Sequence, residues 1–269
     1  MELIDAIIIG IVQGVTEFLP VSSSGHLVLV QRLLGVDEAA IMTISVAMHV
    51  ATLFAVVFFY WKKIWDMIKN PFSKLPIQIV VATIPAVILT VLFGDAIEST
   101  YVNPFVLGPG FIFTGLALIF AEKMANGRKG LQELKTSDSL LIGAAQGIAL
   151  MPAVSRSGMT ITASLALGLE KGFAADFCFL MSIPPILGGA LLDGIDIIKG
   201  ESMALQSVGI VNLVAGMLAA GITGFLAIKI MLAAVKKMKL RYFSYYVFAL
   251  GALIIIGQLF FKDSLGWLI

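Results

Sequence analysis

The sequence predicts an all-α polytopic membrane protein of six transmembrane helices plus two re-entrant helical hairpins, arranged as an inverted-topology repeat. Three observations predict it. Of 269 residues, 59% are hydrophobic and only 13% are charged, about half the roughly 25% of an average soluble domain. With a mean hydropathy of +1.01, the polar surface is too small to clothe a soluble core. The charge-free stretches have membrane-spanning length, and one segment recurs later in the chain. Eighteen basic against 17 acidic residues give no bulk attraction to a polyanion, so nucleic acid is not a partner. The lone Cys178 rules out an internal disulfide framework. The start Met1-Glu2-Leu3-Ile4-Asp5 is acidic where a signal peptide is basic, so it reads as mature protein.

Taken in order, Ile4 to Leu19 and Ser24 to Gly35 are too short or too interrupted to cross cleanly, and Pro20-Val21-Ser22-Ser23-Ser24-Gly25 joins them. A helix, a polar turn and a short helix read as a hairpin that enters the membrane and returns to the same side. Such backbone is tolerated at depth only where protein buries it or it lines a wet cavity. Ala39 to Tyr60, Leu75 to Phe93 and Tyr101 to Ala121 follow, each near the about 20 residues a span requires. A second hairpin runs from Ser139 to Met151 and from Gly158 to Leu169 around Pro152-Ala153-Val154-Ser155-Arg156-Ser157-Gly158. Phe173 to Leu192, broken only by Asp176, then Met203 to Ile228 and Tyr242 to Phe261 complete the spans. Pro85, Pro184 and Pro185 read as kinks, and Asp176 as a helix cap.

At an offset of 133, Ile9, Gly10, Gln13, Gly14, Val21, Ser22, Ser24, Gly25, Leu34 and Gly35 match Ile142, Gly143, Gln146, Gly147, Val154, Ser155, Ser157, Gly158, Leu167 and Gly168. Each hairpin precedes three spans, an odd number. A single integral domain, residues 1–269, therefore consists of two oppositely oriented halves, about 1–121 and 139–261, joined by a cytoplasmic loop. In this layout 14 of the 18 basic residues fall on one face, while Arg32, Lys199 and Lys262 share the other with ten acidic residues. The positive-inside rule makes the basic face cytoplasmic and puts both termini outside.

Only Glu17 and Arg156 then remain at membrane depth, one per hairpin, and intramembrane ions imply function and a partner. A plain ion pair bolting the hairpins together would leave unexplained the hydroxyls beside both: Ser22, Ser23 and Ser24, then Ser155, Ser157 and Thr160. Each turn precedes a short helix, whose free N–H groups and positive dipole end, with Arg156, make a site suited to phosphate. Serine and glycine also cap helices and let them pack closely. Gln13 and Glu17 share a helical face and offer hard oxygen donors to a divalent cation; Glu17 is otherwise a general base. His26 is a candidate nucleophile, general acid or phosphate ligand. His49 reads as a packing or hydrogen-bonding histidine. Gln146 reads as keeping a structural hydrogen bond, since Leu150 stands where the first hairpin has Glu17.

Gln13-Gly14-Val15-Thr16-Glu17-Phe18-Leu19-Pro20-Val21-Ser22-Ser23-Ser24-Gly25-His26 resembles the (E/Q)xxxE and following serine-histidine segment of the undecaprenyl-diphosphatase, or bacitracin-resistance, family. Pro152-Ala153-Val154-Ser155-Arg156-Ser157-Gly158-Met159-Thr160 resembles its PGxSRSxxT signature. Two departures stand out: Ala153 where the pattern has Gly, a small-for-small change in turn flexibility, and Gln13 at the first acidic position, which leaves Glu17 as the motif's sole carboxylate. The resemblance implies a hydrolase that removes the terminal phosphate of undecaprenyl diphosphate, recycling the carrier lipid for cell-wall synthesis and conferring bacitracin resistance. It implies Mg²⁺ or Ca²⁺ dependence, a polyprenyl diphosphate substrate drawn from membrane lipid, and residence in the bacterial cell membrane with the active site opening toward the outer face.

By motif position Glu17, with Gln13, binds metal or activates the attacking group, and Arg156 clamps phosphate. Ser23 or His26 attacks or transfers the proton, and Ser22, Ser24, Ser155, Ser157 and Thr160 form the cradle. Hydroxyl, imidazole and water all fit phosphoryl transfer; we favour His26. The oligomeric state stays open, a homodimer among the possibilities. The rival reading is a transporter or flippase of an anionic polyprenyl lipid, which shares inverted repeats and a midplane anion site but has no need of Glu17 and His26 beside the serines.

Overall fold

A computed structural model describes residues 2–36, 38–101, 103–198 and 209–260. All elements among the described residues are helical. They are α1 (Leu3–Phe18), α2 (Ser23–Leu33), α3 (Glu38–Phe59), α4 (Trp61–Lys69), α5 (Lys74–Tyr101), α6 (Leu107–Met124), α7 (Thr136–Ile148), α8 (Arg156–Ala166), α9 (Lys171–Met181), α10 (Ile183–Ile198), α11 (Ile210–Lys236) and α12 (Leu240–Phe260). Five helical stretches are long and apolar enough to cross a membrane, or six if α3 and α4, bent by 80°, are taken together. A polytopic membrane protein follows from these lengths.

Several boundaries differ from the sequence reading. Tyr101 ends α5 instead of opening the next span, which begins at Leu107. The polar run Asp95 to Thr100 continues the helix, with Ser99 Oγ donating to Ala96 O at 2.7 Å and Thr100 Oγ1 to Ile97 O. The span from Phe173 is interrupted at Ser182, just before Pro184-Pro185, as a missing N–H demands. The helix expected over Met203 to Ile228 is described from Ile210 and runs on to Lys236; residues 203–208 lie outside the described residues, as do Lys199, Glu201, Lys262 and Asp263. Asp176 is not a cap. It accepts from Tyr60 Oη at 2.8 Å and pairs with Lys63, tying α9 to the base of α4. Glu170 caps α9 instead, accepting from Phe173 N at 2.8 Å. The N–H groups of Gly172 and Phe173 hold its carboxyl below the usual range.

The main packing joins early elements to late ones: α1 on α11, α5 on α7, α6 on α12, and α3 on α11 and α10. Glycines allow the first two approaches. A Cβ on Gly10 would strike the Gly216 carbonyl, and one on Gly14 would strike Ala220 O and Thr223 Oγ1. In α7 a Cβ on Gly143 would strike Ala82 O, and one on Gly147 the Leu89 side chain. Small residues four apart let backbones meet where lipid gives no hydrophobic drive between helices. The largest buried cluster, built around Phe18, Val56, Ile161, Leu165, Phe177 and Met231, lies under the turn ends of α1 and α8.

Candidate active site

The two polar turns meet in the protein interior. Gly25 lies against Ala153, whose Cβ would be 3.0 Å from an added methyl, and reciprocally Gly158 lies against Pro20, at 3.5 Å by the same measure. Ser157 Oγ closes the junction by donating to Leu19 O at 3.1 Å. Each turn ends in a serine N-cap. Ser22 Oγ accepts from Gly25 N at 3.4 Å and touches Ser24 Oγ at 3.2 Å. Ser155 Oγ accepts from Gly158 N at 3.1 Å and touches Ser157 Oγ at 3.2 Å. Because these caps use their oxygens on their own helices, α2 begins at Ser23 and α8 at Arg156. The remaining first-turn N–H groups have no partner within the helix.

Glu17 sits between those two helix starts. One carboxylate oxygen pairs with Arg156 Nη2. The other, Oε2, accepts from Ser23 Oγ at 2.7 Å and from Gln13 Nε2 at 2.9 Å. The Glu17 side chain is 2% exposed and that of Arg156 is 24% exposed, so the carboxylate is sealed while the guanidinium and Ser23 border open space. A carboxylate this deep is tolerable because a cation and several donors surround it.

His49 of α3 also reaches this cluster: its Nε2 stands 3.6 Å from Glu17 Oε2 and its side chain is 33% exposed. Its Nδ1 donates to Ser45 O at 2.6 Å, which aims Nε2 at the carboxylate. His49 therefore does more than pack. Its signal in the sequence is a titratable ring in an otherwise charge-free span, and only tertiary packing fixes which way that face of α3 turns.

His26 is placed differently from Ser23. Its Nδ1 lies 2.7 Å from Ser22 O and its Nε2 lies 2.7 Å from Tyr246 Oη. A carbonyl only accepts, so Nδ1 carries the hydrogen, and in the neutral ring Nε2 accepts from the tyrosine. The ring stacks on Tyr246 at 5.6 Å and meets Phe111 edge-on at 5.3 Å. Both nitrogens are occupied, and no hydrogen bond joins His26 to Glu17 or Arg156. Thr160 is turned away too: its Oγ1 donates to Arg156 O at 2.9 Å and the residue is 1% exposed. Ser22 and Ser155 are 3% and 1% exposed caps, leaving Ser23, Ser24, Arg156 and Ser157 as the accessible polar rim.

Supports from other helices were not visible in the motifs. Thr114 of α6 accepts from Ser155 N at 2.9 Å and donates to Ala153 O at 3.1 Å, bracing the second turn, and Tyr101 Oη donates to Leu150 O at 3.1 Å. Ala153 has φ +60° and Ser22 φ +71°, the left-handed region that favours glycine. The alanine at 153 is thus a strained choice and not merely a change in flexibility. Gln146 makes no structural hydrogen bond: both its amide atoms are buried without a partner, as is Gln13 Oε1. Leu150 in place of a carboxylate removes the acceptor that the Gln13 amide uses in the first hairpin.

Comparison with known proteins decides the family. The model of the family described as Bacitracin resistance protein BacA matches residues 6–253. The chain belongs to this family. It is 41% identical over 258 residues to the Undecaprenyl-diphosphatase of Carboxydothermus hydrogenoformans, covering 96% of this chain and 98% of that protein. It is 41% identical over the same length to Undecaprenyl-diphosphatase 3 of Bacillus cereus, with the same coverage. It is 39% identical over 277 residues to the Undecaprenyl-diphosphatase of Alkaliphilus metalliredigens, covering 96% and 100%. In this BacA-family chain the matched region contains both turns, Glu17, Arg156 and the helices that carry His49 and Tyr246.

Proposed function

We propose that this chain is a membrane phosphatase that hydrolyses undecaprenyl diphosphate to undecaprenyl phosphate and inorganic phosphate. Names of relatives supply the substrate class, and one observation carries the chemistry: Ser23 Oγ donates to Glu17 Oε2 at 2.7 Å while Arg156 holds the other oxygen. A hydroxyl on a buried carboxylate at the start of a helix is an activated nucleophile beside an anion site. This favours Ser23 over His26, whose nitrogens are both engaged.

In the proposed step the diphosphate enters the rim and its terminal phosphate competes with Glu17 for the Arg156 guanidinium. Glu17 takes the proton as Ser23 Oγ bonds to the terminal phosphorus. The bond from that phosphorus to the bridging oxygen breaks in line, and undecaprenyl phosphate leaves with the electron pair. Water then attacks the phosphorus, the bond to Ser23 Oγ breaks, Glu17 returns its proton to the serine oxygen, and inorganic phosphate is released. Arg156 and the first-turn N–H groups of α2 and α8 stabilise the charge on the transferring oxygens. Ser24 and Ser157 border that position, while Ser22, Ser155 and Thr160 shape it from behind.

The residues present suit a divalent cation. Gln13 Oε1 is a buried oxygen without a partner, on the side chain whose Nε2 donates to Glu17, and the Glu17 carboxylate also takes Ser23 Oγ; amide, carboxylate and hydroxyl oxygens are hard donors of the kind Mg²⁺ and Ca²⁺ take. Among the described residues no three His, Cys, Asp or Glu cluster to hold a metal, so most ligands must come from phosphate and water. When bound, the cation neutralises diphosphate charge.

The hairpins are proposed to be re-entrant, with oppositely oriented halves, both termini outside, and the site opening toward the outer face of the bacterial cell membrane. The reciprocal turn contacts and the matching pair of close approaches, α1 on α11 and α7 on α5, support that layout. They would also suit a transporter, but transport needs no serine on a carboxylate.

The deciding experiment is phosphate release from undecaprenyl diphosphate by purified protein in detergent, with and without EDTA, followed by acid-quench mapping of any phosphorylated residue. Metal-dependent release with acid-stable phosphate on Ser23 is expected. Acid-labile phosphate on His26 would reverse the nucleophile, and absence of hydrolysis under all metal conditions would sink the phosphatase reading.

A further inference from the structure

α4 does not continue α3 across the membrane. The chain bends by 80° between them, and the bend is fixed at its base by Tyr60 and Lys63 on Asp176 of α9. Around α4 three faces separate. Ile64 and Met67 pack onto the main core cluster, and Lys62, Lys63, Asp66 and Lys69 form the charged face. Trp61, Trp65 and Ile68, spaced four and three apart, make an outward stripe. These three are 57%, 53% and 62% exposed, and Phe72 just past the helix is 89% exposed. No residue of α4 is buried.

Continuity says what covers this stripe. On α3 the outward residues Phe54 and Phe58 are 66% and 72% exposed, large apolar side chains suited to lipid on the outer face of a span. Past the bend, Trp61 and Trp65 continue the run of exposed large apolar side chains. Tryptophan is the residue that settles at headgroup depth. Lys62 Nζ lies 5.9 Å from the Trp61 ring centroid and Lys69 Nζ 5.5 Å from that of Trp65, a pairing in which the indole stays in the apolar boundary and the ammonium reaches toward phosphate. Among the described residues neither ammonium has a carboxylate within ion-pair distance, whereas Lys63 is taken by Asp176.

We propose that α4 is an in-plane interfacial anchor: its Trp61, Trp65 and Ile68 stripe lies at the headgroup–acyl boundary, and Lys62 and Lys69 bind the phosphate groups of anionic phospholipids. A bent, amphipathic helix of this composition lies on a membrane and does not span it. By clamping the end of α3 at the interface, it fixes the depth at which His49, farther along that helix, meets Glu17. The inference rests on the membrane embedding of α3 and is independent of the reaction catalysed at Glu17.

The test uses full-length protein carrying Trp267→Phe, which leaves Trp61 and Trp65 as the only indoles of the three in the chain. It is reconstituted in phosphatidylcholine vesicles with and without phosphatidylglycerol. Lipids brominated near the headgroup should quench the emission more than lipids brominated near the chain end, and aqueous iodide should quench it weakly. Association of labelled phosphatidylglycerol should fall about five-fold for each lysine removed in Lys62→Gln and Lys69→Gln at low salt, with phosphatidylcholine association unchanged. Any of three results would overturn the proposal. They are iodide quenching as free as that of indole in water, burial of the indoles that appears only as protein density rises and so marks a second copy on the stripe, and unaltered phosphatidylglycerol preference in the double variant. Lys62 and Lys69 are exposed, so thermal unfolding of the lysine variants in detergent should match that of the Trp267→Phe parent and separates loss of lipid binding from loss of fold.

Discussion

The first and second hairpins share ten identical positions, yet the reaction is assigned almost wholly to positions at which they differ. Most shared positions do mechanical work. Gly10 and Gly143 permit close helix approach, Ser22 and Ser155 cap the short helices, and Gly35 and Gly168 end those helices at φ +62° and +84°, where a Cβ would be strained. At the offset of 133, Glu17 aligns with Leu150, Ser23 with Arg156, and His26 with Met159. A duplicated scaffold brings two helix starts together, and unequal side chains then give one an acid and a hydroxyl and the other a cation. Identity between repeats therefore locates the frame of a site, and the proposed chemistry rests mainly on mismatches within that frame.

The largest effect that can break this comparison is expected at Glu17. Glu17→Gln keeps the shape and removes the base, so turnover should fall on the order of 10³-fold. Installing a carboxylate at the equivalent place, Leu150→Glu, should create no compensating activity. Phosphate release by the two variants checks both statements.

Next come the paired glutamines. Gln146→Met removes two buried amide atoms that have no partner, a burden of about 1–3 kcal/mol, and should raise thermal stability without lowering turnover. Gln13→Met at the equivalent site severs the 2.9 Å bond to Glu17 and should lower turnover and raise the metal concentration required. Equal loss of activity in both would show that the amides act alike.

The paired glycines should respond alike. Gly10→Ala and Gly143→Ala each push a methyl into backbone carbonyls of the facing helix, costing about 1–3 kcal/mol, and their unfolding midpoints should drop together. The smallest effect is at Ala153, whose φ of +60° suits glycine: Ala153→Gly should stabilise by about 1 kcal/mol unless the gain is offset by extra freedom in the unfolded chain. A midpoint lower than that of the parent would show that the alanine methyl, packed against Gly25 and Gly110, outweighs the strain.

Much of this was legible in the sequence. Scarcity of charge revealed the membrane, and the two ions left at depth, Glu17 and Arg156, are joined in space. The turns were legible because serine caps and glycine punctuate local backbone. His49, Tyr246, Thr114 and Tyr101 were not, since each comes from a helix whose rotation toward the site depends on packing with partners far along the chain. The motif favours His26 and the hydrogen bonding favours Ser23 on a similar point: proximity in the motif could not show that Ser22 O and Tyr246 hold both ring nitrogens. The length of α5 and the bend at Tyr60 were hidden because hydropathy reports apolar character and not helix direction.

The central claim is that Ser23, at a position where the hairpins differ, is the group that attacks. Steady-state phosphate release by purified Ser23→Ala, beside Ser24→Ala at the matched position of the serine turn, tests it most directly. The account predicts a loss of at least about a thousand-fold for Ser23→Ala, with unchanged thermal unfolding, and a loss within about ten-fold for Ser24→Ala. Turnover of Ser23→Ala within ten-fold of the parent would contradict it.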